Sequence, residues 1–522
     1  MRTSSRTPEA GSPRLVRLWS LREDVLVEAA PEGGGVLLHG RWGTERVTDA
    51  DPVTGEALRR MCLGPVSLEN VLSEAERGAA ERITGLLERF QHLVVRSLAL
   101  EGGEHPLLSV VPMSPHAALD PHVPVPDRPV RLSRFAALHS DGDGFTLESP
   151  LSLHRVLLED SDSVALVGAL GWASSPEEIA AASALPRTVV LEIIALLVAA
   201  DLAVTGETPL ADSGPGFAED SDPALATWSP VDLLFHTRST TGRHDNDFGA
   251  TYPSLGRLAP EPAVKQTPDG PRFPLPRPTL RQVLATDPPF TVVLENCRSR
   301  CRFDPDGTAL TVHQLGELLY RAMRVRSIGS VPVGPVEYQV SDRPYPSVGG
   351  SHPLEVYLTV DHCTGLPRGA YHYDPVRHSL TMVNKGEEEL DELLTVARTA
   401  AGTPTACPVL ITLAARFPRT AWKFSGLGYS MVLQEAGTAV QTLCLAGTAM
   451  GLATAALGTA DIDVGARAAG TDWRVESAVG QLIVGPRGRQ LPGGSAPAPG
   501  GAPHFRSLDD PDWAEASVEW PV

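Results

Sequence analysis

The chain has 522 residues, too many for one hydrophobic core, and is expected to divide into two to four domains. Acidic residues outnumber basic ones, 63 to 44, and the net charge of -19 argues against nucleic-acid binding, which needs a basic face. The 6 cysteines are scattered with no CxxC pair, so neither a disulfide framework nor a structural metal site is expected, and the thiols read as free in a reducing cytoplasm.

From the start, Arg2 and Arg6 are followed by no apolar run, so no signal peptide is expected. A repeat then occupies the first part of the chain, at an offset of about 109 residues. Gly35–Leu38 has a counterpart in Gly144–Leu147, Gly55–Met61 in Ser161–Leu170, and Leu68–Leu72 in Pro176–Ala182. Ile83–Leu93 is answered by Val189–Leu202, and each copy closes in a short β-like end. Each reads strand, strand, helix, helix, helix, strand, the order of a winged-helix module. Modules are expected over 1–105 and 131–206, joined by a Pro-rich linker, 106–130, and followed by a Gly/Pro/Asp-rich linker, 207–228. The helix Arg187–Ala200 carries only Arg187 and Glu192 as charges, too few polar groups to read a major groove.

A third domain is expected over 229–490, with a low-complexity tail over 491–522. Its chemistry-bearing stretches come in order. Arg298, Ser299, Arg300 and Arg302 alternate with Cys297 and Cys301; period two in an extended segment puts the three guanidinium groups on one face, where they can hold a phosphate. A helix is predicted over Val312–Arg324. The stretch Arg343-Pro-Tyr-Pro-Ser-Val-Gly-Gly-Ser-His-Pro excludes a long helix through its prolines. It offers the Ser347 hydroxyl and two glycines, Gly349 and Gly350, where a ligand can approach backbone. A strand over Glu355–Val360 follows. Lys423-Phe424 and Tyr429 then precede Met431–Leu452, the most apolar long stretch; Gln434, Glu435 and Gln441 interrupt it, so it reads as a buried helix and not a membrane span. No GxGxxG dinucleotide fingerprint and no P-loop are found.

Taken together over roughly residues 228–490, the arginine segment, the Pro-Ser-Gly-Gly loop before Pro-Leu-Glu-Val-Tyr and the Lys-aromatic pair before the helix resemble the flavin-binding nitroreductase superfamily. Within it the chain is most similar to the SagB/McbC-type azoline dehydrogenases of ribosomal-peptide, thiopeptide-like natural-product biosynthesis. Phe235 to Asp245 is similar to the lead-in segment of SagB-type domains.

The resemblance implies an α+β chain: a C-terminal nitroreductase-like domain, with a mixed central sheet flanked by helices, after two tandem winged-helix-like modules. It implies FMN as cofactor, held by Arg298, Ser299, Arg300, Arg302, Pro346, Ser347, Gly349, Gly350 and Gln441, with Arg487 and Arg489 as further phosphate ligands. The register of the arginine segment stays open. Aligning on Phe303 puts cysteines at two usually basic positions, and a shift by one restores Arg298 and Arg302 but displaces Ser299. The catalytic candidates are Lys423 and Tyr429. Phe424 stands where the dehydrogenases carry tyrosine, and His352 where an aromatic is usual.

The implied activity is oxidation of a peptide thiazoline to a thiazole, with oxygen as the acceptor. The implied partners are an azoline-containing precursor peptide, a cyclodehydratase and a second copy of the chain. The N-terminal modules resemble leader-peptide recognition elements, which add an extended peptide to a sheet edge. The alternatives are a general NAD(P)H-dependent nitroreductase or ene-reductase, and a non-catalytic peptide-binding scaffold with a decayed flavin site.

Overall fold

A computed structural model describes residues 14–31, 35–48, 50–72, 78–120, 124, 127–142, 144–207, 216–301, 303, 309–402 and 407–487. The chain separates into two compact units, divided between Asn246 and Asp247, later than the boundary at 229 expected from sequence.

The first unit begins with β1 (Leu15–Leu21), β2 (Leu26–Ala29), β3 (Gly35–Gly40) and β4 (Gly43–Thr48), then α1 (Pro52–Leu63), α2 (Leu68–Leu72) and α3 (Ala79–Arg89). The helix α1 starts where Asp51 accepts the Thr54 N–H at 2.7 Å and Pro52 presets the first turn. Next come β5 (Val94–Leu100), β6 (Leu108–Pro112), β7 (Val130–Leu132), β8 (Ala137–Ser140), β9 (Phe145–Glu148) and β10 (His154–Leu158). The unit closes with α4 (Ser161–Ala169), α5 (Pro176–Ala182), α6 (Arg187–Ala199), β11 (Ala203–Thr205), α7 (Ala218–Ser221) and α8 (Pro230–Arg238). Ser175 and Glu178 cap α5 reciprocally.

The two repeated stretches share an element order but not a pairing pattern. β2, β3 and β4 form a three-stranded sheet, over which Leu38, Met61, Ile83 and Leu87 make one core. In the second stretch β9 and β10 belong to a six-stranded sheet, β1-β5-β6-β10-β9-β8, while β11 pairs with β7. The strand β6 lies inside the expected Pro-rich linker. Pro106 and Pro112 flank its Leu108–Val111 run rather than interrupt it, so the ladder forms with β5 and β10 on either side.

The second unit begins with β12 (Arg272–Pro274), α9 (Leu280–Thr286), α10 (Phe290–Asn296), α11 (Val312–Met323), β13 (Ser327–Val333) and β14 (Val336–Asp342). It continues through β15 (Leu354–Val360), β16 (Gly369–Asp374), β17 (Ser379–Asn384), α12 (Glu387–Ala400), β18 (Val409–Arg416) and α13 (Phe417–Ala421). The last elements are α14 (Gly428–Ala449), β19 (Leu452–Leu457), α15 (Ile462–Ala469) and β20 (Glu476–Pro486). The expected helix Met431–Leu452 thus starts earlier and stops at Ala449, because Gly451 turns left-handed and Leu452 opens β19.

The central sheet runs β12-β17-β16-β15-β18-β20-β19. Its pairings are all antiparallel, not of mixed direction as expected: a loop over 361–368 joins β15 to β16, a short turn over 375–378 joins β16 to β17, and β18 returns beside β15 through α12. Alternation along β18 sends Ile411 and Leu413 to the face covered by α11 and α14, and Leu410 to the face covered by α12 and α15. Both faces are buried, which is why β15 is apolar along most of its length. No helix among the described residues is long and apolar enough to cross a membrane.

Candidate functional site

The loop between β14 and β15 is fixed from below by two buried arginines. Arg343 donates to the carbonyls of Leu354 (3.1 Å) and Ala263 (3.2 Å). Arg419, on α13, is fully buried and donates to Ser351 O (2.5 Å), Glu261 O (2.7 Å) and Gln339 O (2.6 Å). Its guanidinium stacks over Tyr338, 4.8 Å from the ring centre, and burial pushes its pKa down to about 10.

On this base Gly349 and Gly350 adopt positive φ, 59° and 65°, conformations that favour glycine. The Lys423 ammonium donates to Gly349 O at 3.2 Å, and a Cβ on Gly349 would lie 2.4 Å from that nitrogen. Pro346 and Gly349 are exposed, so one side of the loop stays open to a ligand. Lys423 itself is buried, with Nζ 5.1 Å from the Tyr338 ring and 5.3 Å from the Phe424 ring. Burial first, and the Arg419 charge second, lower its pKa, the direction that makes an amine a base.

The Ser347 hydroxyl donates to Glu435 Oε2 on α14 at 2.5 Å and accepts the His352 N–H at 2.8 Å. Glu435 is buried, its Oε1 has no hydrogen-bond partner, and burial raises its carboxyl to about 7. His352 is held at both ring nitrogens, by Ser341 Oγ (3.3 Å) and Tyr345 O (3.1 Å), which makes it a positioning group for the loop.

Tyr429 stands apart from this cluster. It is 51% exposed at the start of α14 and lines an open, largely apolar cavity of about 560 Å³ with Phe417, Phe424 and Trp473.

The arginine segment runs along the other half of α14. Gln441 approaches Cys297 Sγ at 3.9 Å, six positions beyond Glu435, which is about 9 Å along a helix. Arg298 and Ser299 are exposed and Arg300 is half-buried, its N–H bonded to Thr454 O at 2.9 Å. Phe303 pairs with Arg487 in an isolated antiparallel bridge and packs on Gly485, where a Cβ would meet its ring at 2.3 Å. Cys301 packs into the same core as Phe303, so the cysteine turns inward. Arg298, Ser299, Arg300, Gln441 and Arg487 are thereby brought to one stretch of the unit, apart from Pro346, Ser347, Gly349 and Gly350. Arg302 and Arg489 lie outside the described residues.

Sequence reasoning did not single out Arg343 and Arg419, because an arginine beside a proline or in a short helix reads as surface. Glu435 was legible only as one of the polar residues that interrupt the apolar stretch Met431–Leu452.

Residues 279–486 match the profile of the nitroreductase family, and residues 130–245 that of the cyanobactin oxidase ThcOx. A curated Methanocaldococcus jannaschii protein named as a nitroreductase is 29% identical over 153 residues, 28% of this chain and 69% of that protein. Among solved structures, a nitroreductase of Ralstonia eutropha is 21% identical at a TM-score of 0.33, covering 45% of this chain and 96% of that one. A chain of the Escherichia coli microcin synthetase McbBCD complex with truncated pro-MccB17 is 20% identical at a TM-score of 0.31, covering 52% and 95%. The second unit thus contains a stretch that matches the nitroreductase family, and part of the first a stretch that matches the cyanobactin oxidase.

Proposed function

We propose that the protein is an FMN-dependent azoline dehydrogenase that oxidises a peptide thiazoline to a thiazole during maturation of a ribosomally made peptide. The observation that carries this reading is Lys423: a buried amine of lowered pKa, bonded to the carbonyl of an open, left-handed glycine in the loop that would meet the flavin. The residues fit such a cofactor. The loop from Pro346 to Gly350 leaves backbone accessible, Glu435 Oε1 is an unspent acceptor, and Arg298, Arg300 and Arg487 belong to or bridge the segment that meets Gln441 and would supply the charge for a phosphate.

Bound there, the flavin supplies a two-electron acceptor. The chain's own work would be to orient the peptide and to take the acidic Cα proton on Lys423 Nζ in its neutral form, which the lowered pKa favours. Oxygen would serve as the final electron acceptor. Tyr429, at the mouth of the apolar cavity, would contact the incoming ring rather than share the buried base.

The reading extends to partners. The two winged-helix-like stretches of the first unit, with exposed edge strands such as β8, would present the precursor peptide or its cyclodehydratase. The ThcOx match over 130–245 supports a peptide-tailoring role. A homodimer is supported by α9 and α10. α9 buries no residue, its Leu280 and Leu284 are about 70% exposed one helical turn apart, and Phe290, which opens α10, is exposed to a similar degree. The six free thiols fit a cytoplasmic protein.

The test is the visible spectrum of the purified chain, followed by mass analysis of a thiazoline peptide. Bound FMN near one per chain and loss of two hydrogens from the peptide support the reading. A chain that cannot be loaded with FMN refutes it.

A further inference from the structure

The contact between Ser347 and Glu435 has two possible proton arrangements. A serine hydroxyl has one proton and two lone pairs. One lone pair of Ser347 Oγ is taken by the His352 N–H, and its proton goes to Glu435 Oε2. If the carboxyl gains a proton, it settles on Oε2, because on Oε1 it would be a buried donor without a partner; Oε2 then turns from acceptor to donor while Oε1 stays an acceptor. The Oε2–H then occupies the second lone pair of Oγ, and the Ser347 proton must turn elsewhere. Gly349 is exposed and Gly350 half-exposed, so the loop that carries Ser347 leaves its backbone open to a ligand.

The surroundings keep both states within reach. Burial favours the neutral acid, and Oε1 has no partner to hold it ionised. Against this stand the Ser347 hydrogen bond and the charges of Arg343 and Arg419. Lys423 spends its ammonium on Gly349 O. His352 is committed at both nitrogens, Tyr345 keeps its phenol proton because burial raises its pKa, and Glu355 on β15 pairs with His372 and Arg416.

We propose that Glu435 is a positioning residue that sets the direction of the Ser347 hydroxyl. Ionised, it retains the Ser347 proton; protonated, it releases that proton to an acceptor atom of a polar heteroaromatic ring lying against Gly349 and Gly350. Where that ring is a flavin, the inference rests on the function proposed above.

The first measurement needs no flavin. pH-difference infrared spectra of the full-length, flavin-free chain, from about pH 5 to about pH 9, read buried carboxyl groups directly. A protonated-carboxyl band should titrate well above the ordinary glutamate range and vanish in Glu435→Gln. Its midpoint should shift in Ser347→Ala, which removes the hydrogen-bond partner of both forms, and return in Ser347→Thr. A missing band, or a midpoint that ignores Ser347→Ala while Ser347→Thr folds normally, overturns the proposal.

The second measurement is riboflavin binding, chosen because riboflavin carries no titrating phosphate. Affinity should fall on the order of tenfold from about pH 6 to about pH 8, one hydrogen bond's worth. It should stay high and flat in Glu435→Gln, whose amide donates as the acid does. A Glu435→Gln curve that follows the wild type overturns the proposal. A coupled carboxyl titration with no riboflavin binding at any pH would instead defeat the flavin assignment and leave the hydroxyl switch standing.

Discussion

The loop cluster and the arginine segment lie along the same helix, about two turns apart, and they are built in opposite ways. Around Ser347 the chain supplies nearly all the partners itself: Arg343 and Arg419 hold the backbone, Lys423 holds Gly349, and Glu435 holds Ser347. Along the arginine segment the described anchors are backbone and apolar, the Arg300 N–H on Thr454 O and Phe303 on Gly485, and Arg298 is exposed. A proton-handling site must be organised and dry before its ligand arrives, since its pKa values depend on it. A phosphate site needs only charges within reach, which the anion itself will order.

Substitutions in the two regions should therefore fail differently. Lys423→Ala should lower turnover of a thiazoline peptide by roughly 10²–10⁴-fold, the range for a lost general base. Bound flavin, read by absorbance after release, should stay within about twofold, because the loop's main supports are untouched. If flavin is lost in proportion to activity, Lys423 is a structural prop and the contrast collapses.

Arg419→Met should cost about 3 kcal/mol of stability in a denaturant titration, since it removes three buried charge-assisted hydrogen bonds at once. A cost below about 1 kcal/mol would mean that the loop is held from elsewhere.

Glu435→Gln separates the regions by pH. The folded carboxyl keeps its proton up to about 7, against an ordinary value of 4.5. The stability it contributes is full below the unfolded value and is lost as pH rises through the folded one. The variant should unfold like the wild type near pH 5 and be more stable near pH 8, by on the order of 2 kcal/mol. Equal stability at both values would place the carboxyl among ordinary solvated glutamates.

Arg298→Ala should show the smallest effect, about tenfold weaker FMN binding at low salt, fading as salt rises, with folding unchanged within about 0.5 kcal/mol. Salt-independent loss would indicate that Arg298 supports the fold.

Local signals in the sequence served well where structure is local. The Ser175-Pro176 start with Glu178 three residues on delimits α5, and the apolar run after Pro353 marks β15. The glycines at 349 and 350 were legible because only a special backbone explains such a pair before a strand. Long-range facts were not. The link from Ser347 to Glu435 spans 88 residues, and the burial of Arg419 depends on carbonyls as distant as Glu261. The strand β6 hid among prolines whose spacing, rather than number, decides whether a ladder can form.

The six-stranded sheet of the first unit also governs how the molecule can be dissected. Its ladder passes from β5 through β6 to β10, so the two repeats are stitched by hydrogen bonds across the stretch that looks like a place to cut. A fragment ending near residue 105 would bare β5, and one starting near residue 130 would bare β10, each a ready template for unwanted association. A fragment meant to test peptide binding should retain the whole first unit, 1–246, and either repeat expressed alone is expected to precipitate rather than report a weaker affinity.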